Sequence, residues 1–312
     1  MSVEHPTDKT PLSEGPGPFG LKAAGILNIY KPAGLTSRDV VNQIQRLVRP
    51  AKVGHAGTLD PLATGVLVVC VGPATRLIEY IQRMPKEYVG QFLLGRTSPT
   101  EDTDGPVTEL DHPPIPSQEE VETAARGMLG PILQRPPAYS ALKVEGRRAY
   151  ELARQGQEVE LAPRPVTIYR LDVLSYQYPE LVLRIRCSSG TYARAIGRDL
   201  AAALGTGAVM SALERTAIGP FRSKYALRPD QLRPENWDLH LLPCTWAVEG
   251  LPQIRLRPAE VERVRQGQPI HRLIRRSEER EFAAVDRRGR LVAILVPRGE
   301  GRLGPSRTMP PM

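Results

Sequence analysis

Cysteine is scarce. Three occur in 312 residues, Cys70, Cys187 and Cys244, far apart and without a C-x-x-C pair. That spacing excludes a disulfide framework or a cysteine zinc site and fits a reducing, cytoplasmic setting. The five histidines, His5, His55, His112, His240 and His271, show no paired metal-ligand spacing either. No apolar run approaches the roughly 20 residues that cross a bilayer. The N-terminus has no charged segment leading into an apolar one, so no signal peptide is expected. A phosphate-cradling P-loop, a dinucleotide fingerprint and a serine nucleophile elbow are all missing. Lysine is rare, 7 against 35 arginines, a bias that genomic base composition would also produce.

What is present is length, positive charge and one unusual loop. A chain of 312 residues buries a full core and has room for a second, smaller domain. The net charge of +8 suggests a polyanionic partner. Its distribution says more: residues 251–312 hold 14 arginines, no lysine and 7 acidic residues. Arginine presents a planar fork matched to phosphate, although a solvated basic face would read the same way.

The loop is Gly54-His55-Ala56-Gly57-Thr58-Leu59-Asp60-Pro61-Leu62-Ala63-Thr64-Gly65, followed by an apolar run over 66–71. Three glycines and a proline bend it, and Pro61 biases Asp60 away from helical backbone. The β-branched run that follows has the length of a buried strand. An acid is thus placed on a rigid loop at the lip of a sheet, where chemistry tends to sit. A turn-forming Asp is the alternative.

Residues 1–22 are rich in Pro, Gly, Ser and Thr and are expected to be a disordered leader. Residues 25–30 suggest a strand. Thr36 and Asp39 fit a capping box opening a helix with Val40, Val41, Ile44, Leu47 and Val48 at helical spacing, ending before Pro50. A short helix is expected over 74–83, a strand over 86–95, an acidic loop over 98–116 and a capped helix over 117–130. Residues 134–143 hold too much proline for regular structure, and 146–156 suggest an exposed basic helical arm. Two strands follow over 166–178 and 180–187, the second with inward Leu181, Leu183, Ile185 and Cys187 alternating against Val182, Arg184 and Arg186. A helix bearing Ile196, Leu200, Ala203 and Leu204 stops at Gly205. Residues 229–252 are expected to link to a small module with β-like runs at 254–256, 282–285 and 291–296. The fold class is α+β, followed by a small basic β-rich domain.

Four features stand out: Asp60, Tyr88 on a strand, Tyr192 with Arg194 at a strand-to-helix junction, and the basic tail. Taken singly, each has a structural explanation. The tyrosines suit a core with their hydroxyls at its edge, and Arg194 could pair with any carboxylate. No second acid is spaced with Asp60 for two-carboxylate glycoside hydrolysis.

Together these residues resemble a known family. Residues 25–221 are similar to the TruB family of pseudouridine synthases, with the 54–65 loop as its signature. Lys31-Pro32-Ala33-Gly34-Leu35-Thr36-Ser37 resembles the first family motif. The resemblance implies a mainly antiparallel sheet for a catalytic domain over 23–250. It implies a thumb at about 135–160, with 136–154 most similar, and a PUA-like RNA-binding domain over 251–312. It makes Asp60 the essential acid, Tyr88 the aromatic stacked on the target base and Arg194 the partner of Asp60. It gives Tyr192 to the pocket, Leu213 to the wall against the base, and His55 to RNA contact.

Two departures are visible: Val209 where bacterial members usually have histidine, and Glu214 where they often have arginine. The implied activity is isomerisation of a uridine in the T loop of tRNA (position 55 in tRNA convention), by a monomer without cofactor. Competing readings on the same scaffold are a non-catalytic tRNA-binding or tRNA-folding protein, a guide-RNA-dependent synthase, and, more weakly, a hydrolase that would release free uracil. Burial would raise the pKa of Asp60 and an adjacent Arg194 would lower it, so an ion pair between the two is expected.

Overall fold

The computed structural model describes residues 24–140, 142–144, 147–148, 161–272, 280–299 and 301–311. The expected leader lies outside them. The first strand, β1 (Gly25–Lys31), ends in a turn that enters helix α1 (Ser37–Leu47). The Thr36 and Asp39 capping box is formed there, each side chain accepting from the other's backbone N–H. β2 (Val53–His55) and β3 (Thr64–Val71) flank the glycine-rich loop. A 3-10 turn (Gly72–Leu77) then widens into the short helix α2 (Ile78–Arg83), where the sequence suggested one helix.

β4 (Lys86–Leu94) follows, then the small ribbon β5 (Arg96–Thr97) and β6 (Thr108–Glu109), and α3 (Gln118–Gly127) behind its own Ser117 cap. β7 (Gly130–Gln134) is a strand that the sequence did not suggest. β8 (Lys143–Val144) pairs with β9 (Arg147–Arg148), so strand occupies those two positions of the expected helical arm; residues 149–156 of that arm lie outside the described residues. β10 (Arg164–Gln177), β11 (Glu180–Cys187), helix α4 (Ala193–Ala203), β12 (Ala208–Ile218) and β13 (Phe221–Arg222) complete the main sheet and its layer.

That sheet has nine strands in the order β1-β3-β12-β4-β11-β10-β7, with β2 on β3 and β13 on β12. Its ladders are antiparallel except one: β12 meets β3 in parallel, over only Glu214 with Thr64 and Arg215 with Gly65. The glycine-rich loop emerges at this short junction. Gly65 makes the approach possible, because a Cβ there would lie 2.3 Å from the Arg215 carbonyl oxygen, and its φ of +97° suits glycine.

Strand alternation assigns the cores. On β3, Leu67, Val69 and Val71 pack with Val40 and Ile44 of α1, while Val66, Val68 and Cys70 face the opposite side. Both faces are covered, which is why this strand reads as an unbroken apolar run. At the other end of the sheet Phe92, Leu181, Leu183 and Ile185 pack against Val121 of α3 and Ile196 and Leu200 of α4. Gly197 lets α4 settle on the Phe92 ring, where a Cβ would come within 2.2 Å.

Residues 253–308 form a second sheet, β14 (Gln253–Arg255), β15 (Ile270–His271), β16 (Phe282–Val285), β17 (Leu291–Pro297) and β18 (Arg302–Thr308), ordered β14-β16-β17-β18-β15. It carries helix α5 (Pro258–Arg265). The two sheets share a core. Val285, Leu291, Ile294 and Met309 cluster with Val66, Val68, Leu77 and Ile81. The intervening segment is anchored at several points: Leu242 bridges to Ile26, Leu232 packs in the core beside α1, and Cys244, Ala247 and Val248 join the shared core. Among the described residues no helix is long and apolar enough to cross a membrane.

Candidate active site

The loop holding Asp60 is clamped from below by two buried cations and one hydroxyl. Arg215, 2% exposed, donates from Nε to the Val66 carbonyl at 2.7 Å, and from its two terminal nitrogens to Gly57 at 3.0 Å and Thr58 at 3.2 Å. Lys31, fully buried, donates from Nζ to the carbonyls of Leu35 (2.6 Å), Pro32 (3.0 Å) and Pro61 (3.2 Å). Ser37 brackets Leu59, accepting from its N–H at 2.9 Å and donating to its carbonyl at 3.2 Å. Buried carbonyls need such partners, and here they come from strands and a helix rather than from within the loop. Burial lowers Lys31 to about 8, with the charge of Asp60 opposing.

Asp60 itself is held from above. Arg194, at the start of α4, places Nη2 3.1 Å from Asp60 Oδ2 and Nη1 3.3 Å from Asp102 Oδ2. The same fork donates to the carbonyls of Thr100 at 2.6 Å and Tyr139 at 2.9 Å. The Arg194 and Asp102 side chains are 8% and 5% exposed, whereas Asp60 remains 40% exposed. A buried guanidinium therefore holds one carboxylate inside and presents the other to whatever enters. Asp102 is fixed by Thr100 Oγ1 at 2.6 Å and by the Asp104 N–H at 3.2 Å. Burial and the charges of Asp102 and Asp60 push the Asp104 carboxyl up.

Leu59, Ala63, Tyr88 and Leu213 form one apolar wall beside this pair. Tyr88 lies opposite Arg215 across the β4–β12 ladder, and burial raises its phenol, with the neighbouring Arg215 partly opposing. Tyr192 caps α4, its backbone bracketed by the Gln134 amide at 2.9 and 3.2 Å. The charge of Asp60 is felt at Lys31, Tyr88, Asp104, Tyr192 and Arg215, so these groups surround one point. His55 stands at the end of β2, half-buried at the loop's entrance, and burial lowers its pKa.

The structure thus brings Asp60, Arg194, Tyr88, Tyr192 and Leu213 together and sets His55 to one side. The ion pair expected between Asp60 and Arg194 is present. Sequence reading missed Asp102 and the clamping parts of Lys31 and Arg215. The signal for Arg215 was there: it lies two residues from the buried Leu213 on the same strand face, so an arginine occupies an inward position.

Comparison with known proteins places the chain among its relatives. Residues 45–193 match the model for the TruB family pseudouridylate synthase N-terminal domain. The tRNA pseudouridine synthase B of Mycobacteroides abscessus is 41% identical over 284 residues, covering 89% of this chain and 94% of that protein. The chain belongs to the TruB family. The tRNA pseudouridine synthase B of Corynebacterium aurimucosum is 37% identical over 90% of this chain and 94% of that one. Among solved structures, the fold of this TruB-family member matches that of an H/ACA RNP bound to a substrate RNA containing 2′-deoxyuridine. The TM-score there is 0.69 at 24% identity, over 92% of this chain and 85% of that one. A Cbf5-Nop10-Gar1 complex gives 0.67 at 25% identity, with the same coverage.

Proposed function

We propose that this chain converts a uridine in the T loop of tRNA to pseudouridine, with Asp60 as the group that acts on the glycosidic linkage. The observation that carries this reading is a half-exposed carboxylate held by a buried guanidinium beside an apolar wall. The relatives' names supply tRNA as the substrate. To reach Asp60 the base must leave its stack, at a cost of a few kcal/mol, least from a loop. Contact with Tyr88 and Leu213 offsets part of this, since an aromatic stacked on a base contributes about 1–3 kcal/mol.

The C1′–N1 bond then breaks, the uracil turns, and C1′ bonds to C5. C5 loses a proton and N1 gains one, so the reaction is an isomerisation with no net change of electrons and no need of a cofactor. Arg194 directs the Asp60 carboxylate through their 3.1 Å ion pair. Tyr192 lines the pocket and His55 contacts RNA at the entrance. Residues 23–250 constitute the catalytic part, acting as a cytoplasmic monomer. Residues 251–312 serve as a PUA-like RNA-binding module, and the arm at about 135–160, largely outside the described residues, closes over the T stem-loop. Folded RNA is read by shape and splayed bases, which suits this division.

The test is release of tritium from tRNA labelled at uridine C5. Asp60→Asn is expected to abolish release while leaving tRNA affinity within about threefold, because the amide keeps the shape and loses the charge. Turnover by that variant would remove Asp60 from the reaction, and pseudouridine mapped outside the T loop would correct the substrate position.

A further inference from the structure

Helix α4 carries a second arginine one turn beyond Arg194, to which the reaction described above gives no part. Arg198 pairs through Nη1 with Glu101 Oε1 at 2.5 Å. Its Nη2 donates to the Arg135 carbonyl at 2.8 Å, and its Nε donates to Asp199 Oδ1 at 2.8 Å. Glu101 is the unusual partner. Its φ is +61°, a left-handed conformation that glycine adopts freely and a glutamate disfavours. The turn is locked on both sides: the Glu101 N–H donates to Ser98 O at 3.0 Å, and its carbonyl accepts from Met210 N–H at 3.0 Å. The side chain is only 14% exposed, and its Oε2 is buried without a hydrogen-bond partner among the described residues.

The residues on either side of this strained position are the ones that touch Arg194. Thr100 gives it a carbonyl and Asp102 a carboxylate. The other segment at Arg194, residues 134–140, is tied in the same way. Tyr139 accepts from Arg194, Gln134 brackets Tyr192, and Arg135 accepts from Arg198. Both segments that converge on Arg194 are therefore also fastened to Arg198. Backbone strain that persists beside a reacting group needs surroundings that over-determine it, and Arg198 is the one guanidinium bonded to that side chain among the described residues.

We infer that Arg198 and Glu101 are positioning residues for the isomerisation: their ion pair holds the left-handed turn at 101, and the turn sets Thr100 and Asp102 where they aim Arg194 at Asp60. Neither touches the reacting atoms. This rests on the reading of Asp60 and Arg194 as the reacting pair.

The experiment uses the full chain and measures three quantities: the single-turnover rate of tritium release, tRNA affinity and thermal midpoint. Arg198→Met is expected to slow release roughly 10- to 100-fold, the scale of a 1 Å misplacement, with affinity within about threefold. Arg198→Lys keeps a cation for Glu101 and should recover most of the rate. Glu101→Gly relaxes the turn but removes the carboxylate. It should keep or raise the thermal midpoint while losing rate by a factor like that of Arg198→Met. Combined with Arg198→Met it should cost little more, since both remove one interaction.

Wild-type release by Glu101→Gly, or by Arg198→Met if it folds, overturns the inference, and so does a loss confined to affinity. If Asp60→Asn is inactive while those variants are unimpaired, only the positioning role fails. If the wild-type chain releases no tritium, the reading of Asp60 fails and this role with it.

Discussion

Arg194 is shared by two carboxylates of different standing, and that sharing explains why an arginine is needed. A lysine offers one point charge, whereas the fork spans Asp60, Asp102 and two carbonyls at once. Arg194→Lys is expected to lower the single-turnover rate by about 100-fold or more, with tRNA affinity little changed, because the lost contacts orient rather than bind. Rates near wild type would show that charge alone suffices. Asp60, Arg194 and their pairing were legible through the resemblance to the family's motifs, whereas the residues alone left Arg194 free to pair with any carboxylate. Asp102 was not legible. It sits in an acidic stretch with Glu101 and Asp104, and nothing in the local pattern says which of the three turns inward.

Among the elements, the loop over 54–65 is a rigid object made from pieces distant in the chain. Lys31 ends β1 and Arg215 lies on β12, yet both donate into it. The Lys31 pKa near 8 gives this clamp a pH limit. The folded protein releases that proton near pH 8, whereas an unfolded chain holds it to about 10.4. Between those values the unfolded state binds more protons, so the lysine's contribution to stability rises with pH. Lys86, also lowered to about 8 by burial, adds in the same direction.

Activity should move the opposite way, because neutral Lys31 loses a donor and its attraction to Asp60. Rate and thermal midpoint measured across pH 7 to 10 are expected to diverge, and Lys31→Met should remove the lysine's share of both slopes. Most elements were readable from period and capping. β7 was not, because it is an edge strand that tolerates Pro131 and leaves Leu133 74% exposed, the reverse of a core pattern. Helix α5 was hidden by its charges, with only Glu260 and Val264 buried.

At the scale of the whole molecule, the two sheets are joined by more than a connecting segment. Tyr80 of α2, 6% exposed, donates to Glu281 Oε1 at 2.6 Å and accepts from Arg307 at 2.8 Å. Guanidinium groups of Arg83 and Arg307 lie 5.4 and 5.3 Å from its ring centre. Burial pushes its phenol up to about 12. Beneath it the shared core loses Val285, Leu291, Ile294 and Met309 if residues 251–312 are removed. Each such side chain contributes about 1.5–3 kcal/mol by burial, a sum comparable to the whole stability of a domain. Deletion of 251–312 is therefore expected to yield a chain without a cooperative thermal transition near that of the intact protein. A fragment melting unchanged would show that the sheets are independent. The unbroken apolar run over residues 66–71 disclosed a buried strand, but not that one of its covers comes from the far end of the chain, since hydrophobic pattern carries no address.

β3 has a further consequence. Its side chains are gripped alternately by α1 and by the far sheet, so the strand cannot loosen unless both halves do. The Asp60 loop enters directly into this strand and inherits its stiffness. The freedom such a loop would surrender on meeting RNA has already been surrendered when the chain collapses, before any nucleotide arrives.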